Sequence, residues 1–263
     1  MASGLAKTLL SREVLALACG AMIGWSWVLL TGEWLSRAGT MGTVIAFMIG
    51  SSIVILISLA YAELASAMPL AGGEHHYTKR ALGYTSSFIA SWAVVIAYVT
   101  VCVFESAALP TALQYLFPDL GVGLLWSVAG SPVYASLVAV GAIGAALMTF
   151  INYVGIRFAA FVQTLMTVLF IAVGLLFFLG VGISEPPASR VPELSQGIVG
   201  ILGVLVMVPA LLVGFDVIPQ SAEEINLPPN RIGGLLVISV CLAGGWYIAI
   251  SLAVGNALSG PEL

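Results

Sequence analysis

The chain has 263 residues, of which 60% are hydrophobic and 8% are charged, and its formal net charge is −4. This composition excludes a water-soluble globular protein, because the polar side chains are too few to cover a folded surface. It also gives no reason to expect a nucleic acid partner, since the longest basic run is Lys79 with Arg80. The composition therefore indicates a protein that crosses the lipid bilayer several times.

Seven apolar stretches are long enough to cross a bilayer as helices. The third is overlong and contains Pro110, so we expect its end to kink or turn before Phe117. The fourth follows the turn signal Gly130-Ser131-Pro132, with the proline at the start of the helix. The seven stretches cover approximately residues 14–36, 43–68, 86–116, 133–151, 158–183, 197–218 and 232–257.

Two glycines, Gly20 and Gly24, interrupt the first apolar stretch. A glycine weakens a helix by roughly 1 kcal/mol relative to alanine, and its missing side chain allows a ligand to approach the backbone. Two small residues four positions apart also allow two helices to pack closely. Taken alone, this pair favours helix packing over a ligand site.

A short amphipathic helix at the membrane interface is predicted between the second and third stretches. The sequence from Met68 to Gly73 stops the second helix, and residues 74–81 then form the short helix. The adjacent His75 and His76 project about 100° apart on a helix and lack the i, i+4 spacing of a zinc pair. We therefore expect no metal site there.

The sixth stretch contains three residues that break helices, Pro209, Gly214 and Pro219, with Asp216 between the last two. A proline inside a helix costs about 3 kcal/mol, and a carboxylate at the membrane centre costs roughly 2.5–3.5 kcal/mol. Such a combination is tolerated in lipid where the backbone lines a cavity. The alternative is a proline kink with Asp216 near the cytoplasmic mouth, where water hydrates it.

The first and sixth stretches lie five helices apart, so they cross the bilayer in opposite directions. Paired interrupted helices of opposite direction are typical of an inverted repeat, and they form the substrate site near the midplane. We therefore predict an all-α integral membrane protein with a five-plus-five inverted-repeat transporter fold and discontinuous first and sixth helices. Residues 1–263 then form a single transmembrane domain, with the first repeat at about 14–183 and the start of the second at about 197–257. On this prediction the fold is truncated after the seventh helix, and the chain is a fragment or a truncated product.

Basic residues are distributed unequally between the two sides of the predicted membrane. Because short loops rich in Lys and Arg face the cytoplasm, the side with more of them is the inner one. This predicts a cytoplasmic N-terminus and a multi-pass protein of the plasma or inner membrane. The inner segments hold Lys7, Arg12, Lys79, Arg80, Arg157 and Arg231, and the outer segments hold Arg37 and Arg190.

Several short runs, in the expected order over almost the whole chain, resemble the amino acid–polyamine–organocation permease superfamily, in its N-terminal portion of about seven of twelve helices. The resemblance implies secondary active uptake or exchange of amino acids or amines, as a symporter or antiporter, with H⁺ or Na⁺ as a possible coupling ion. It implies no cofactor. The runs are residues 20–24, 61–64, 69–73 with 80–83, 152–155, 214–216 and 222–231.

The resemblance also implies a substrate site at the two interruptions. In this family the unwound part of the first helix offers amides to the substrate carboxylate, and the sixth helix offers carbonyls to the amine. A helix N-terminus stabilises an anion by about 0.3–1 kcal/mol or more, which agrees with that arrangement. The first group comprises Ile23, Gly24, Trp25 and Ser26. The second group comprises Ala210, Val213, Gly214, Phe215 and Asp216, with Phe215 as an aromatic lid. The helix breaks are placed at Gly20 and Pro209.

The chain departs from the family pattern at Trp25, where a small residue is usual. A bulky side chain there narrows the pocket and disfavours an ordinary α-amino acid, while a small amine or amino alcohol still fits. Candidates for a gate or an ion pair are Glu63, Glu105, Arg157 and Glu224. Glu63 lies at the depth of Arg157 and Glu224, and a purely structural role fits it equally well. Glu105 faces an external vestibule or is a buried, protonated acid.

Three classes of function are open to a multi-pass membrane protein. An intramembrane enzyme is not supported, because Trp27 spoils a GxSG serine motif, Asp216 has no second intramembrane aspartate, and no HExxH motif occurs. We therefore expect a permease for a small molecule, embedded in lipid, without a cofactor or metal. The alternative is a truncated, non-transporting membrane scaffold or sensor derived from such a permease.

Overall fold

A computed structural model describes residues 7–183 and 190–259 of the chain. Contacts divide the chain into a first unit, Met1–Ser87 with Ala160–Leu263, and a second unit, Phe88–Ala159, and each is described by itself. The helices are α1 (Ser11–Met22), α2 (Ser26–Ala67), α3 (Glu74–Leu82), α4 (Tyr84–Leu116), α5 (Ala135–Val154), α6 (Ile156–Ile183), α7 (Gly197–Leu211), α8 (Val217–Gln220) and α9 (Pro229–Ala257). The strands are β1 (Leu124–Val128) and β2 (Ser131–Tyr134), and short 3₁₀ turns cover Pro118–Leu120 and Ala222–Glu224.

Long apolar helices dominate the described chain. Five of them have the length and composition needed to cross a membrane, and α7 is a shorter apolar helix. The predicted helical, multi-pass membrane architecture is therefore confirmed. The predicted short helix after Gly73 is also confirmed, as α3. The five long segments are Ser26–Ala67, Tyr84–Leu116, Ala135–Val154, Arg157–Ile183 and Arg231–Ala257.

The longest helix, α2, folds back on itself at Gly39. Its 42 residues would extend about 63 Å if straight, twice the thickness of the hydrocarbon core. Gly39 has non-helical angles, φ 74° and ψ 176°, and the Thr43 hydroxyl donates to the Trp34 carbonyl over 3.0 Å. In a straight helix these residues would be about 13.5 Å apart. We therefore treat α2 as a first arm (residues 26–38) and a second arm (residues 40–67), in agreement with two predicted stretches.

The turn at Gly39 is held by backbone hydrogen bonds to a distant segment. The Thr40 N–H donates to the Pro192 carbonyl over 3.0 Å, and the Ser195 N–H donates to the Ala38 carbonyl over 3.0 Å. A Cβ at Gly39 would lie 2.5 Å from the Pro192 carbonyl oxygen, and its φ of +74° disfavours any residue with a side chain. Glycine is therefore required at this turn.

The core of the first unit lies where both arms of α2 pack against α7 and α9. Three fully buried aromatic residues form its centre, Trp34, Phe47 and Tyr247. The Phe47 and Tyr247 rings stack with centroids 5.1 Å apart, and Trp34 meets both rings edge-on at 5.0 and 5.6 Å. Such aromatic pairs contribute about 0.5–1.5 kcal/mol each beyond burial.

The second unit contains a β-hairpin that the sequence analysis did not predict. Strands β1 and β2 pair antiparallel, and the turn residues Ala129 and Gly130 both have positive φ, 50° and 85°, as a type I′ hairpin turn requires. The prediction that Pro132 starts a helix is wrong, because Pro132 lies in β2 and α5 begins at Ala135. Helix α4 continues through Pro110 to Leu116.

Candidate functional site

Two interruptions of the helical chain lie in the first unit. Helix α1 ends at Met22 and α2 begins at Ser26, while α7 ends at Leu211 and α8 begins at Val217. We call residues 23–25 the first interruption and residues 212–216 the second interruption. Both helices end further along the chain than the predicted break residues, since α1 continues through Gly20 and α7 continues through Pro209. Pro209 lies within the last turn of its helix, where the missing N–H removes only one intrahelical bond.

Gly20 is a packing position. A Cβ at Gly20 would overlap the side-chain ends of Gln163 and Thr167 on α6. The Thr167 hydroxyl also donates to the Ala16 carbonyl of α1 over 3.4 Å. The small residue at position 20 therefore lets α1 and α6 approach closely, which corrects its predicted assignment as the break itself.

Gly214 brings the two interruptions together. Its φ is +127°, and a Cβ there would lie 2.6 Å from the Cβ of Ala21 and 3.2 Å from the Met22 nitrogen. No real side chain tolerates the first of these distances, so only glycine fits without a shift of the backbone. The second interruption consequently lies directly against the C-terminal end of α1.

Tyr247 of α9 is a functional candidate that the sequence analysis missed. Its hydroxyl donates to the Met22 carbonyl over 2.7 Å and shares a 2.7 Å hydrogen bond with the Ser26 hydroxyl. The Leu211 carbonyl lies at 3.5 Å from the same oxygen. One phenol group therefore contacts the end of α1, the start of α2 and the end of α7. A signal was present in the sequence, because Tyr247 is a polar aromatic residue inside an otherwise apolar stretch.

The first predicted group lies at and beside the first interruption. The Ile23 N–H donates to the Cys19 carbonyl over 2.7 Å, so it completes α1 and is occupied. Within the described part of the chain, the backbone N–H groups of Gly24, Trp25 and Ser26 make no hydrogen bond. Those are donors that a helix start leaves unpaired. The Trp25 ring is half-buried and meets Phe170 of α6 edge-on, with centroids 5.3 Å apart.

The second predicted group is organised by Asp216. Its Oδ1 accepts the Gly214 N–H over 3.2 Å, and its Oδ2 accepts the Gln220 amide over 3.0 Å. In a continuous helix the Gly214 N–H would bond to the Ala210 carbonyl. Asp216 therefore takes this donor away and leaves the Ala210 carbonyl without its helical partner. Val213 is half-buried, whereas the Ala210 side chain is exposed.

Phe215 points toward a polar group of residues rather than toward Trp25. Its ring meets Tyr61 of α2 edge-on at 5.4 Å, and Tyr61 meets Tyr77 of α3 at 6.4 Å. Glu74 interacts with both tyrosines and with Gln220 and Asp216. We call this set the Glu74 cluster, and it comprises Tyr61, Glu74, Tyr77, Asp216 and Gln220.

Within the described part of the first unit, neither Glu63 nor Glu224 forms an ion pair. Among residues 7–183 and 190–259, the single ion pair joins Glu33 to Arg37, and Glu63 is exposed. Glu105 and Arg157 lie in the second unit, where Glu105 is half-buried. A gate function for these residues stays a prediction.

Glu224 lies at a junction with the N-terminal segment. Its backbone carbonyl accepts the N–H groups of Thr8 and Leu9 over 2.9 and 3.0 Å, and the Asn226 N–H donates to the Leu9 carbonyl over 2.9 Å. The Glu224 Oε2 is buried without a hydrogen-bond partner in the described structure, and burial raises the pKa of this carboxyl. The Glu224 carboxyl thus lies beside the backbone contact between Leu9 and Ile225, and its gating function stays a prediction.

Comparison with known proteins decides the family. The amino acid permease family profile matches residues 12–262. The chain belongs to the amino acid permease family. Its membership of the amino acid–polyamine–organocation permeases, expected from the sequence runs, is thereby confirmed.

Several relatives of this permease are transporters. The branched-chain amino acid permease BcaP of Bacillus subtilis is 25% identical, over 91% of this chain and 52% of that protein. The methylthioribose transporter of the same organism is 24% identical, over 98% and 57%. Cationic amino acid transporter 9 of Arabidopsis thaliana, a chloroplastic protein, is 28% identical, over 93% and 46%. The chain spans about half the length of these relatives, and none of them is an enzyme.

Proposed function

We propose that this permease is a secondary active transporter of amino acids or related amines that works by alternating access. The substrate binds between the two interruptions, in a five-plus-five inverted repeat whose first and sixth helices are discontinuous. The main support is the close approach of the two interruptions at Gly214 and Ala21, which places unpaired backbone groups of two different helices on neighbouring segments. Such half-helix ends bind charged substrates in transporters.

In this proposal each interruption binds one end of the substrate. The free N–H groups of residues 24–26 lie at the N-terminus of α2, where the helix dipole favours a carboxylate or another electron-rich group. The carbonyls of Ala210 and Val213, at the end of α7, favour an ammonium group. Trp25, which packs beside Phe170, limits the room for a substrate side chain. A small amine or amino alcohol therefore remains as good a candidate as an α-amino acid.

The membrane, the orientation and the coupling ion belong to the same proposal. We place the protein in the plasma or inner membrane with a cytoplasmic N-terminus, because the predicted inner loops carry six of the eight Lys and Arg residues. The coupling ion is H⁺ or Na⁺. A relative named aspartate-proton symporter, from Bacillus subtilis, is 28% identical over 44% of this chain, which supports H⁺ as one of the two.

A binding screen tests the site. Purified protein in lipid nanodiscs is titrated with amino acids, polyamines and ethanolamine by isothermal calorimetry, and the tightest ligand is then measured with Gly24→Leu. We expect at least a tenfold loss of affinity, which corresponds to about 1.4 kcal/mol. The matched control is Gly180→Leu, because Gly180 on α6 has open space around it. Equal affinities for Gly24→Leu and Gly180→Leu would refute a site at the first interruption.

A further inference from the structure

A buried carboxyl group without a cation lies at the start of α3. Glu74 is 9% exposed, and its Oε1 has no hydrogen-bond partner in the part of the chain that the structure describes. Tyr77, one turn later on the same face of the helix, is 6% exposed, and its hydroxyl is equally unpartnered there. Buried polar atoms are nearly always paired, so an unpaired carboxyl oxygen and an unpaired phenol one helical turn apart are unusual, and burial of this carboxyl favours its protonated form.

The segment that leads into α3 is docked on α8 and the residues around it. The Gly72 N–H donates to the Gln220 carbonyl over 3.1 Å, and the Ala71 N–H donates to the Glu223 carboxylate over 3.3 Å. A Cβ at Gly73 would lie 3.2 Å from the Cβ of Pro219. The N-terminal end of α3 is therefore docked on the segment that follows the second interruption.

The groups that face Glu74 do not neutralise its charge. From α2 it is faced by Tyr61, and from the second interruption and α8 by Asp216 and Gln220. Asp216 is a second acid, so it opposes ionisation of Glu74. On α3 itself, the neighbouring His75 ring is hydrogen-bonded to the Ser87 hydroxyl over 2.9 Å. No Lys or Arg forms an ion pair with Glu74 among the residues described.

We propose that Glu74 is a proton-binding site that links protonation to the docking of α3 on the second interruption. With a proton bound, Glu74 is neutral and stays buried beside Asp216, and its O–H supplies a hydrogen-bond donor. When the proton leaves to water, two carboxylates face each other in a region of low dielectric. Separation of α3 from residues 216–220 then becomes favourable, because it hydrates the new charge.

The same movement would reach the proposed substrate site. Residues 216–220 follow closely after Gly214, which packs against Ala21 of α1. Loss of the Glu74 proton therefore loosens the contact between the interruptions, and binding of the proton tightens it. This coupling to substrate rests on the proposed function, whereas proton binding by Glu74 does not.

The balance of forces on Glu74 agrees with a proton that exchanges near neutral pH. Burial raises the pKa of Glu74 to about 7, with a further increase from the charge of Asp216 and opposing decreases from hydrogen bonds to its own backbone, Gln220 and Tyr61. Burial, followed by the charge of Glu74, raises the pKa of Tyr77 to about 12, so this phenol stays protonated.

Infrared titration and hydrogen exchange test the proposal without any substrate. In nanodiscs, the carboxylic acid band of the wild-type protein should disappear with a midpoint near pH 7, and Glu74→Gln should lack that component. Hydrogen exchange of residues 69–83 and 211–226, corrected for intrinsic rates, should accelerate above the midpoint by up to about tenfold per pH unit, since one proton is linked. Glu74→Gln, a permanently neutral side chain, should remain protected. The control Glu193→Gln removes an exposed acid and should behave as the wild type.

Either of two outcomes would overturn the proposal. In the first, the carboxylic acid band that titrates near pH 7 persists in Glu74→Gln; in the second, hydrogen exchange of the wild-type protein is independent of pH. If Glu74→Gln does not fold, Glu74→Asp decides, because a shorter side chain changes the burial of the carboxyl and must move the midpoint; an unmoved midpoint would refute the assignment. Failure of the substrate screen leaves these results unaffected, so the two proposals fail separately.

Discussion

Replacing Tyr247 with phenylalanine tests how strongly one hydroxyl holds the two interruptions together. The substitution removes the oxygen that bonds to the Met22 carbonyl and the Ser26 hydroxyl, both over 2.7 Å. It keeps the ring, and with it the stack on Phe47 at 5.1 Å and the edge contact with Trp34. The effect therefore reports the hydrogen bonds and not the packing.

The expected magnitude follows from the two short bonds. A buried group that loses its partner costs about 1–3 kcal/mol, and a typical net bond contributes about 0.5–1.5 kcal/mol. The Met22 carbonyl loses the Tyr247 donor, and the Ser26 hydroxyl loses its Tyr247 partner. We therefore expect Tyr247→Phe to lower the free energy of unfolding by about 2–3 kcal/mol.

The assay is thermal unfolding of the protein in nanodiscs, followed by calorimetry and by light scattering, neither of which depends on tyrosine absorbance. A loss of this size should lower the midpoint by roughly 2–4 °C per kcal/mol. Tyr153→Phe serves as the control, because this substitution removes the same hydroxyl oxygen from a side chain that is 87% exposed. If the two variants unfolded at the same temperature, the proposed bridging by Tyr247 would be refuted.

Three further predictions concern named positions. Gly214→Ala should lose at least about 1–3 kcal/mol from backbone strain alone, whereas Gly203→Ala, with open space around it, should not; thermal unfolding compares them. Gly20→Ala should change the free energy of unfolding by no more than about 1 kcal/mol, because the higher helix propensity of alanine offsets the displacement of the Gln163 and Thr167 side-chain ends that its Cβ would meet; Gly180→Ala is measured in the same way. Because the native state holds the Glu74 proton up to about pH 7, wild-type stability should fall as pH rises from about 5 to 7.5, and Glu74→Gln should flatten that profile.

The sequence alone predicted the elements that depend on local composition. Apolar length determines which segments can enter lipid, so the membrane helices were recognised from hydropathy. Glycine and proline act on their own backbone, so the interruptions were placed within a few residues of where α1 and α7 end. The breaks are nevertheless displaced from Gly20 and Pro209, because the last turn of a helix tolerates either residue when its neighbours supply packing.

The tertiary structure decided which groups meet. Tyr247 and Met22 are 225 residues apart, and no local pattern links a phenol in one apolar stretch to a carbonyl in another. The packing of Gly20 on α6, the β-hairpin around Ala129 and the burial of Glu74 against α8 depend equally on partners distant in the chain. Local propensity acts through neighbouring residues, whereas a buried polar atom is satisfied by whatever the fold places beside it. For this chain, the sequence determined that apolar helices cross a membrane and predicted two breaks among them, and the packing of α9 and α3 determined what surrounds residues 23–25 and 212–216.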